Sequence, residues 1–190
     1  MRTIRFYRHG VTMATTNTHQ RKPGKRGRVT GWSPGAARRN IAFLRSVDDD
    51  KLDGVGLAIT LTIRDCPEGS AEWSKAIDTW IKRQRRAGLI RLHWVMEFQR
   101  RGVPHLHCAV WYDREKIREI EGNRAIHGLQ AVSNPHMAKA HKRGEEHVIK
   151  AGMGAVADWI EITEKWGTGS KGQQVRPIDG PVGWFQYMAK

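Results

Sequence analysis

His105 and His107 stand two residues apart, and Glu97 precedes them in a segment that also carries His93, Val95 and Gln99 at alternate positions. Along an extended strand, residues i and i+2 point to the same face. Both histidines therefore share one face, with Leu106, Cys108 and Val110 on the other. The connection Arg100-Arg101-Gly102-Val103-Pro104 is short enough to make the two segments a hairpin. If the faces match, that hairpin sets Glu97 beside the two imidazoles. Two imidazoles and a carboxylate on adjacent strands make a three-ligand site for a divalent metal, with coordination positions left open. Gln99 shares the Glu97 face and is a candidate to touch the groups that complete the metal's shell. The plainer alternative is two histidines packed and hydrogen-bonded on a sheet.

A second pair lies near the C-terminal end. Tyr187 and Lys190 are three apart in Trp184-Phe185-Gln186-Tyr187-Met188-Ala189-Lys190, so a helix places them on one face. A phenol has a pKa near ~10 and becomes a nucleophile only where a cation or metal favours the phenolate. A lysine one turn away supplies that charge, or meets the phosphate under attack. Taken alone, the pair is equally a half-buried tyrosine beside a solvated lysine. Taken with a metal that polarises a phosphate, it points to phosphodiester transfer.

Periodicity outlines the elements that must hold these groups. Ser33 is a candidate N-cap and Pro34 a first helical residue, opening a helix that Asp48-Asp49-Asp50 ends. Residues 55–63 alternate as a strand, with Leu57, Ile59, Leu61 and Ile63 opposite Ala58, Thr60 and Thr62. Residues 70–87 form a helix on the spacing of Trp73, Ile77, Trp80, Ile81 and Gln84, with Gly88 as its stop. Residues 91–99 and 105–112 are the hairpin strands. Residues 113–152 are charged, lack a clear period and include His127, His136, His141 and His147, which read as solvated loop histidines. A helix over 155–166, a short strand over 174–178 and a helix after Pro181 complete the chain. The order β-α-β-β-α-β plus a C-terminal helix predicts an α+β fold, ferredoxin-like or RRM-like. Its antiparallel sheet carries helices on one face and the metal site on the other, free face.

The chain has 190 residues, 39% hydrophobic and 27% charged, which suits one domain with a real core. No long apolar run or N-terminal leader pattern occurs, which argues against a membrane span and a secretory signal and predicts a cytoplasmic protein. Cys66 and Cys108 are too few for a disulfide framework or a four-cysteine zinc site, and both read as structural. Lys and Arg number 33 against 19 Asp and Glu, a net charge of +14. Such a balance calls for a polyanionic partner, nucleic acid first. Much of the excess lies in Arg21, Lys22, Lys25, Arg26 and Arg28. Residues 1–31 therefore read as a basic flexible arm that neutralises phosphates or merely solubilises, with residues 3–8 suited to a short edge strand. Residues 32–190 form the domain proper. Trp73, Trp80, Trp159 and Trp166 fall at core spacing, and Trp94 is expected in the core, facing away from the metal. Trp32 and Trp184 are candidates to stack on unpaired bases, and Arg100 and Arg101 to meet backbone phosphate.

Three segments, in order, resemble the motifs of the HUH endonucleases, and among them the rolling-circle replication initiators of small plasmids and filamentous phages. Leu57-Ala58-Ile59-Thr60-Leu61-Thr62 is similar to the first motif. The run from Glu97 to His107 matches the second, E-x-Q-x-R-G-x-P-H-U-H, which is the specific one. Tyr187-Met188-Ala189-Lys190 matches the third, Y-x-x-K. The resemblance covers residues 31–190. It implies that Glu97, His105 and His107 bind Mg²⁺ or Mn²⁺ and that Tyr187 nicks single-stranded origin DNA, a hairpin form included, with Lys190 assisting. The product would be a 5′-phosphotyrosine and a free 3′-OH, and host replication proteins would be partners. Some relatives carry a second tyrosine one turn earlier, where this chain has Gly183, so one or two tyrosines in the full protein stays open. The sequence ends on the last residue of its motif, so it is expected to be a piece of a longer protein.

Two rivals stand beside this reading. A relaxase or single-strand transposase would use the same chemistry, although relaxases place the tyrosine near the N-terminus, where Tyr7 sits in no matching motif. A non-catalytic single-strand-binding module would leave Glu97, His105 and His107 without a role, and metal binding discriminates it.

Overall fold

A computed structural model describes residues 2–15, 33–117 and 146–188. They divide into two compact units, Asp53–Asp179 and the pairing of Met1–Leu52 with Gly180–Lys190.

The larger unit runs β3 (Val55–Thr62), α2 (Ser70–Arg86), β4 (Leu89–Phe98), β5 (Pro104–Tyr112), α3 (Glu146–Ile162) and β6 (Gln174–Pro177). The sheet order is β4-β5-β3-β6 and every neighbouring pair is antiparallel. This is the ferredoxin-like α+β arrangement, with the two crossovers made by α2 and α3.

Alternation assigns the two faces. Leu57, Ile59 and Leu61 of β3 and Leu106, Cys108 and Val110 of β5 are buried against Trp73, Ile77 and Trp80 of α2 and Ile149, Val156 and Trp159 of α3. Trp159 receives Trp73 edge-on at 5.5 Å between centroids, and its Nε1 donates to Thr62 O at 3.0 Å. A polar chain crosses the same layer: Tyr112 Oη donates to Gln84 Oε1 at 2.9 Å, and Gln84 Nε2 donates to Asp158 Oδ2 at 2.8 Å. Gly152 lets α3 close on the sheet, because a Cβ there would lie 2.4 Å from Val175 Cγ1 and 3.1 Å from Leu57 Cδ1.

Several expectations need correction. The helix expected from residue 155 begins at Glu146, in a stretch whose glycines hide its period. Trp94 does face away from Glu97, but on the outer strand of the sheet it is 43% exposed rather than core. Cys66 is exposed. The sheet face opposite the helices is not wholly free, since Ala58, Ala109 and Trp111 on it are buried. The other core tryptophans are buried as expected, Trp166 included.

In the smaller unit, β1 (Arg2–Tyr7) and β2 (Gly10–Thr15) form an antiparallel hairpin. The strand expected near residues 3–8 is thus present within the expected arm, paired to a second strand rather than to the main sheet. Its turn residues Arg8 and His9 meet Asp49, at 2.9 Å from each, and Arg8 also meets Asp50. Helix α1 (Pro34–Ser46) opens on Ser33, whose Oγ accepts from Ala36 N at 3.1 Å. Asn40 of α1 donates to Met188 O at 3.3 Å and so fixes the end of α4 (Pro181–Met188).

Candidate metal centre

The β4–β5 register sets Glu97 opposite His105 and Val95 opposite His107, while β3 sets Thr62 opposite His105 and Thr60 opposite His107. Cross-strand partners share a face, so Glu97, both histidines and both threonines lie together on the side away from α2 and α3. The turn that holds this register is tight. Gly102 N donates to Gln99 O at 2.8 Å and Gln99 N to Val103 O at 2.9 Å, with Gly102 at φ 77°, a value that favours glycine.

His105 Nε2 and His107 Nε2 converge to 2.8 Å. Glu97 Oε2 lies 3.5 Å from the second and 3.8 Å from the first. One ligand atom from each of the three residues falls within 4.8 Å of the others, which is the spacing of groups that share one cation. Burial lowers both imidazole pKa values; for His107 the neighbouring His105 adds to the effect, and Glu97 opposes it for both. Neutral imidazoles keep a lone pair for a metal, so the donor set fits a divalent ion. Thr60 Oγ1 lies 3.2 Å from His107 Nδ1. Accepting the Nδ1 proton there leaves Nε2 bare and aimed at Glu97 and His105.

The remaining expected site residues divide. Gln99 Oε1 accepts from Arg101 Nε at 2.7 Å, and Arg101 Nη2 donates to Ile63 O at 2.7 Å, so both brace the turn against the end of β3. Arg100 is exposed at the tip. Tyr187 is half-buried on α4, its ring 6.0 Å from that of Trp184 and nearly perpendicular to it. Tyr187 belongs to the smaller unit and the Glu97–His105–His107 group to the larger. Lys190, Trp32, Arg21, Lys22, Lys25, Arg26 and Arg28 lie outside the described residues, as do His127, His136 and His141.

Sequence reasoning missed two supports. Thr60 was placed on the correct face without its bond to His107, which the face alone could have suggested. Gln173 clamps the end of β3: its Oε1 accepts from Thr62 N at 2.8 Å and its Nε2 donates to Thr62 O at 2.9 Å. Nothing local in the sequence signals that clamp.

Fold and site together define a ferredoxin-like domain that presents two histidines and a glutamate as a metal-ligand group. The chain belongs to the family of replication-associated proteins described as ORF2/gene II protein, whose model matches residues 56–190. It is 43% identical over 193 residues to a putative replication protein of Xylella fastidiosa strain 9a5c, covering 100% of this chain and 56% of the relative. A putative replication protein of Xylella fastidiosa strain Temecula1 is 42% identical over 193 residues, with 60% of its length covered. The replication-associated protein of Pseudomonas phage Pf3 is 40% identical over 194 residues, with 58% covered. The chain thus spans somewhat over half the length of these relatives. No solved structure matches it. Among the described residues, no helix is long and apolar enough to cross a membrane.

Proposed function

We propose that this chain is the strand-nicking domain of a rolling-circle replication initiator, acting on single-stranded origin DNA through a covalent tyrosine linkage. The observation that carries the reading is the convergence of Glu97, His105 and His107 on paired strands, in a chain of a replication-associated family. Those three residues hold Mg²⁺ or Mn²⁺. When bound, the ion supplies positive charge to the oxygens of the scissile phosphate.

Tyr187 Oη, as phenolate, attacks phosphorus. A bond forms between Oη and phosphorus, the bond from phosphorus to the 3′ oxygen breaks, and that oxygen leaves to become a 3′-OH. Lys190, three positions beyond Tyr187, offers its ammonium to the phenolate or the phosphate. The linkage to the 5′ end preserves the phosphodiester energy, so a 3′-OH attacking the same phosphorus rejoins the strand and frees Tyr187. Thr60 keeps His107 in the tautomer that turns Nε2 toward the site, and the burial of both histidines keeps them unprotonated near neutral pH. The replication-named relatives favour an initiator over a relaxase or transposase with the same chemistry. Arg100, the expected basic run at residues 21–28 and the aromatic surface of Trp184 serve to hold the strand.

The test is the polarity of the adduct. A pool of single-stranded DNA is labelled at either end and incubated with Mn²⁺, then denatured. The reading expects the 3′-labelled portion on the protein and the 5′-labelled portion free, with both signals lost in EDTA. Protein bound to the 5′-labelled portion contradicts it, and binding without any adduct to the native origin strand makes the chain a binding module.

A further inference from the structure

The face that carries Glu97, His105 and His107 continues along β4 through Val95 to His93 and Arg91, which pair across the sheet with Ala109 and Trp111. At about 3.4 Å per residue, Arg91 lies roughly 20 Å along the strand from Glu97. Arg91 is half-buried, and its Nε donates to His93 Nε2 at 2.8 Å. His93 must accept there, so its proton sits on Nδ1, and its ring meets the buried Trp111 edge-on at 6.1 Å between centroids. The guanidinium is thereby held by one nitrogen, while Nη1 and Nη2 remain to donate.

No carboxylate among the described residues pairs with Arg91. Other arginines of the chain differ: Arg83 makes two 2.8 Å bonds to Glu161, and Arg8 meets three aspartates. Burial with no acid to oppose it pulls the Arg91 guanidinium below its usual pKa. A cation taken partly out of water is costly unless an anion meets it. In the His93 row, at the far edge of the sheet, Arg176 of β6 is also without an acid among the described residues and contacts Gln174 at 3.2 Å.

We infer that Arg91, positioned by His93, binds a backbone phosphate of the single strand at a subsite on the metal-bearing face, several nucleotides from the metal. This rests on the proposed function and adds the residue that sets where the strand runs relative to the cut. The fork of Nη1 and Nη2 suits two oxygens of one phosphate, so the contact is independent of base.

The test uses the full chain in EDTA, with a fluorescein-labelled single-stranded oligonucleotide of mixed sequence read by anisotropy across ~50–200 mM KCl. The expected result is that Arg91→Gln binds several-fold more weakly and that its plot of log affinity against log salt is shallower by about 0.7, one phosphate contact fewer. Arg91→Met, which keeps the aliphatic stem, should do the same, so a folding failure in one variant does not decide the matter. Arg91→Lys should keep the slope, and His93→Gln, which retains an acceptor for Arg91, should stay close to wild type. Mn²⁺ affinity should be the same in Arg91→Gln and wild type. A wild-type salt slope in folded Arg91→Gln or Arg91→Met overturns the subsite. If the wild type nicks DNA while that slope is unchanged, the subsite fails and the nicking reading stands. If the slope falls but no adduct to the native origin strand ever forms, the nicking reading fails and the phosphate subsite stands.

Discussion

Thr60 Oγ1 sits 3.2 Å from His107 Nδ1, across the antiparallel pair of β3 and β5. The hydroxyl occupies the far nitrogen of a ring whose near nitrogen faces Glu97 and His105. Partners of this kind fix both tautomer and ring orientation, and their loss weakens metal binding by about 10–100-fold. Thr60→Val should therefore lower Mn²⁺ affinity within that range by calorimetry, and Thr60→Ser should restore most of it. Equal affinity in Thr60→Val and wild type would make the contact incidental.

Metal binding should also resist acid more than free imidazole does. Burial lowers the pKa of both His105 and His107, so the neutral, ligating forms persist below the usual value of ~6.5. As pH falls through the lowered values, protons displace the metal. A Mn²⁺ titration series should show affinity steady at neutral pH and falling only below that ordinary imidazole range. A midpoint at or above it contradicts the burial described for these rings.

His93 gives a separate pH signature in folding. Burial first, and Arg91 second, push its pKa down to about 4, against ~6.5 in the unfolded chain. Above the unfolded value neither state binds a proton there and its contribution to stability is complete. Between the two values the unfolded chain takes up a proton that the native state refuses, so stability is lost as pH falls toward the folded value. His93→Gln should flatten that part of the stability curve in urea denaturation; an unchanged slope would remove His93 as its source.

The polar chain through the core makes a stability prediction. Gln84 is 1% exposed and links Tyr112 to Asp158. Gln84→Leu leaves a buried hydroxyl and a buried carboxylate each short of a partner, at a cost of about 2–4 kcal/mol in urea denaturation. Tyr112→Phe removes one neutral bond and should cost about 1 kcal/mol. The reverse order of the two effects would mean that the chain does not bear on Asp158.

The hairpin and its three ligands were legible because a period of two fixes the face and a short turn fixes the register. Ser33 and Pro34 marked the start of α1 because capping chemistry is local. What escaped reading depends on distant neighbours. Thr60 meets His107 across 47 positions of sequence, and Gln173 meets Thr62 across 111. The first turns of α3 contain Gly152 and Gly154, poor helix formers whose value here is close approach to Leu57 and Val175, a reason that exists only once the sheet is built. Trp94 misled for a related cause. Its face was correct, but β4 is the outer strand, and the helices leave Trp94, Met96 and Phe98 partly uncovered.

The central claim is that Tyr187 becomes covalently joined to DNA with the help of the Glu97–His105–His107 group. Wild type, Tyr187→Phe and the double variant His105→Ala/His107→Ala are incubated with labelled origin single strand and Mn²⁺, then run on a denaturing gel. The account predicts a shifted protein–DNA band in wild type alone, with both variants still folded and Mn²⁺ binding retained only by Tyr187→Phe. A covalent band that survives in Tyr187→Phe would move the nucleophile to another residue and contradict the account.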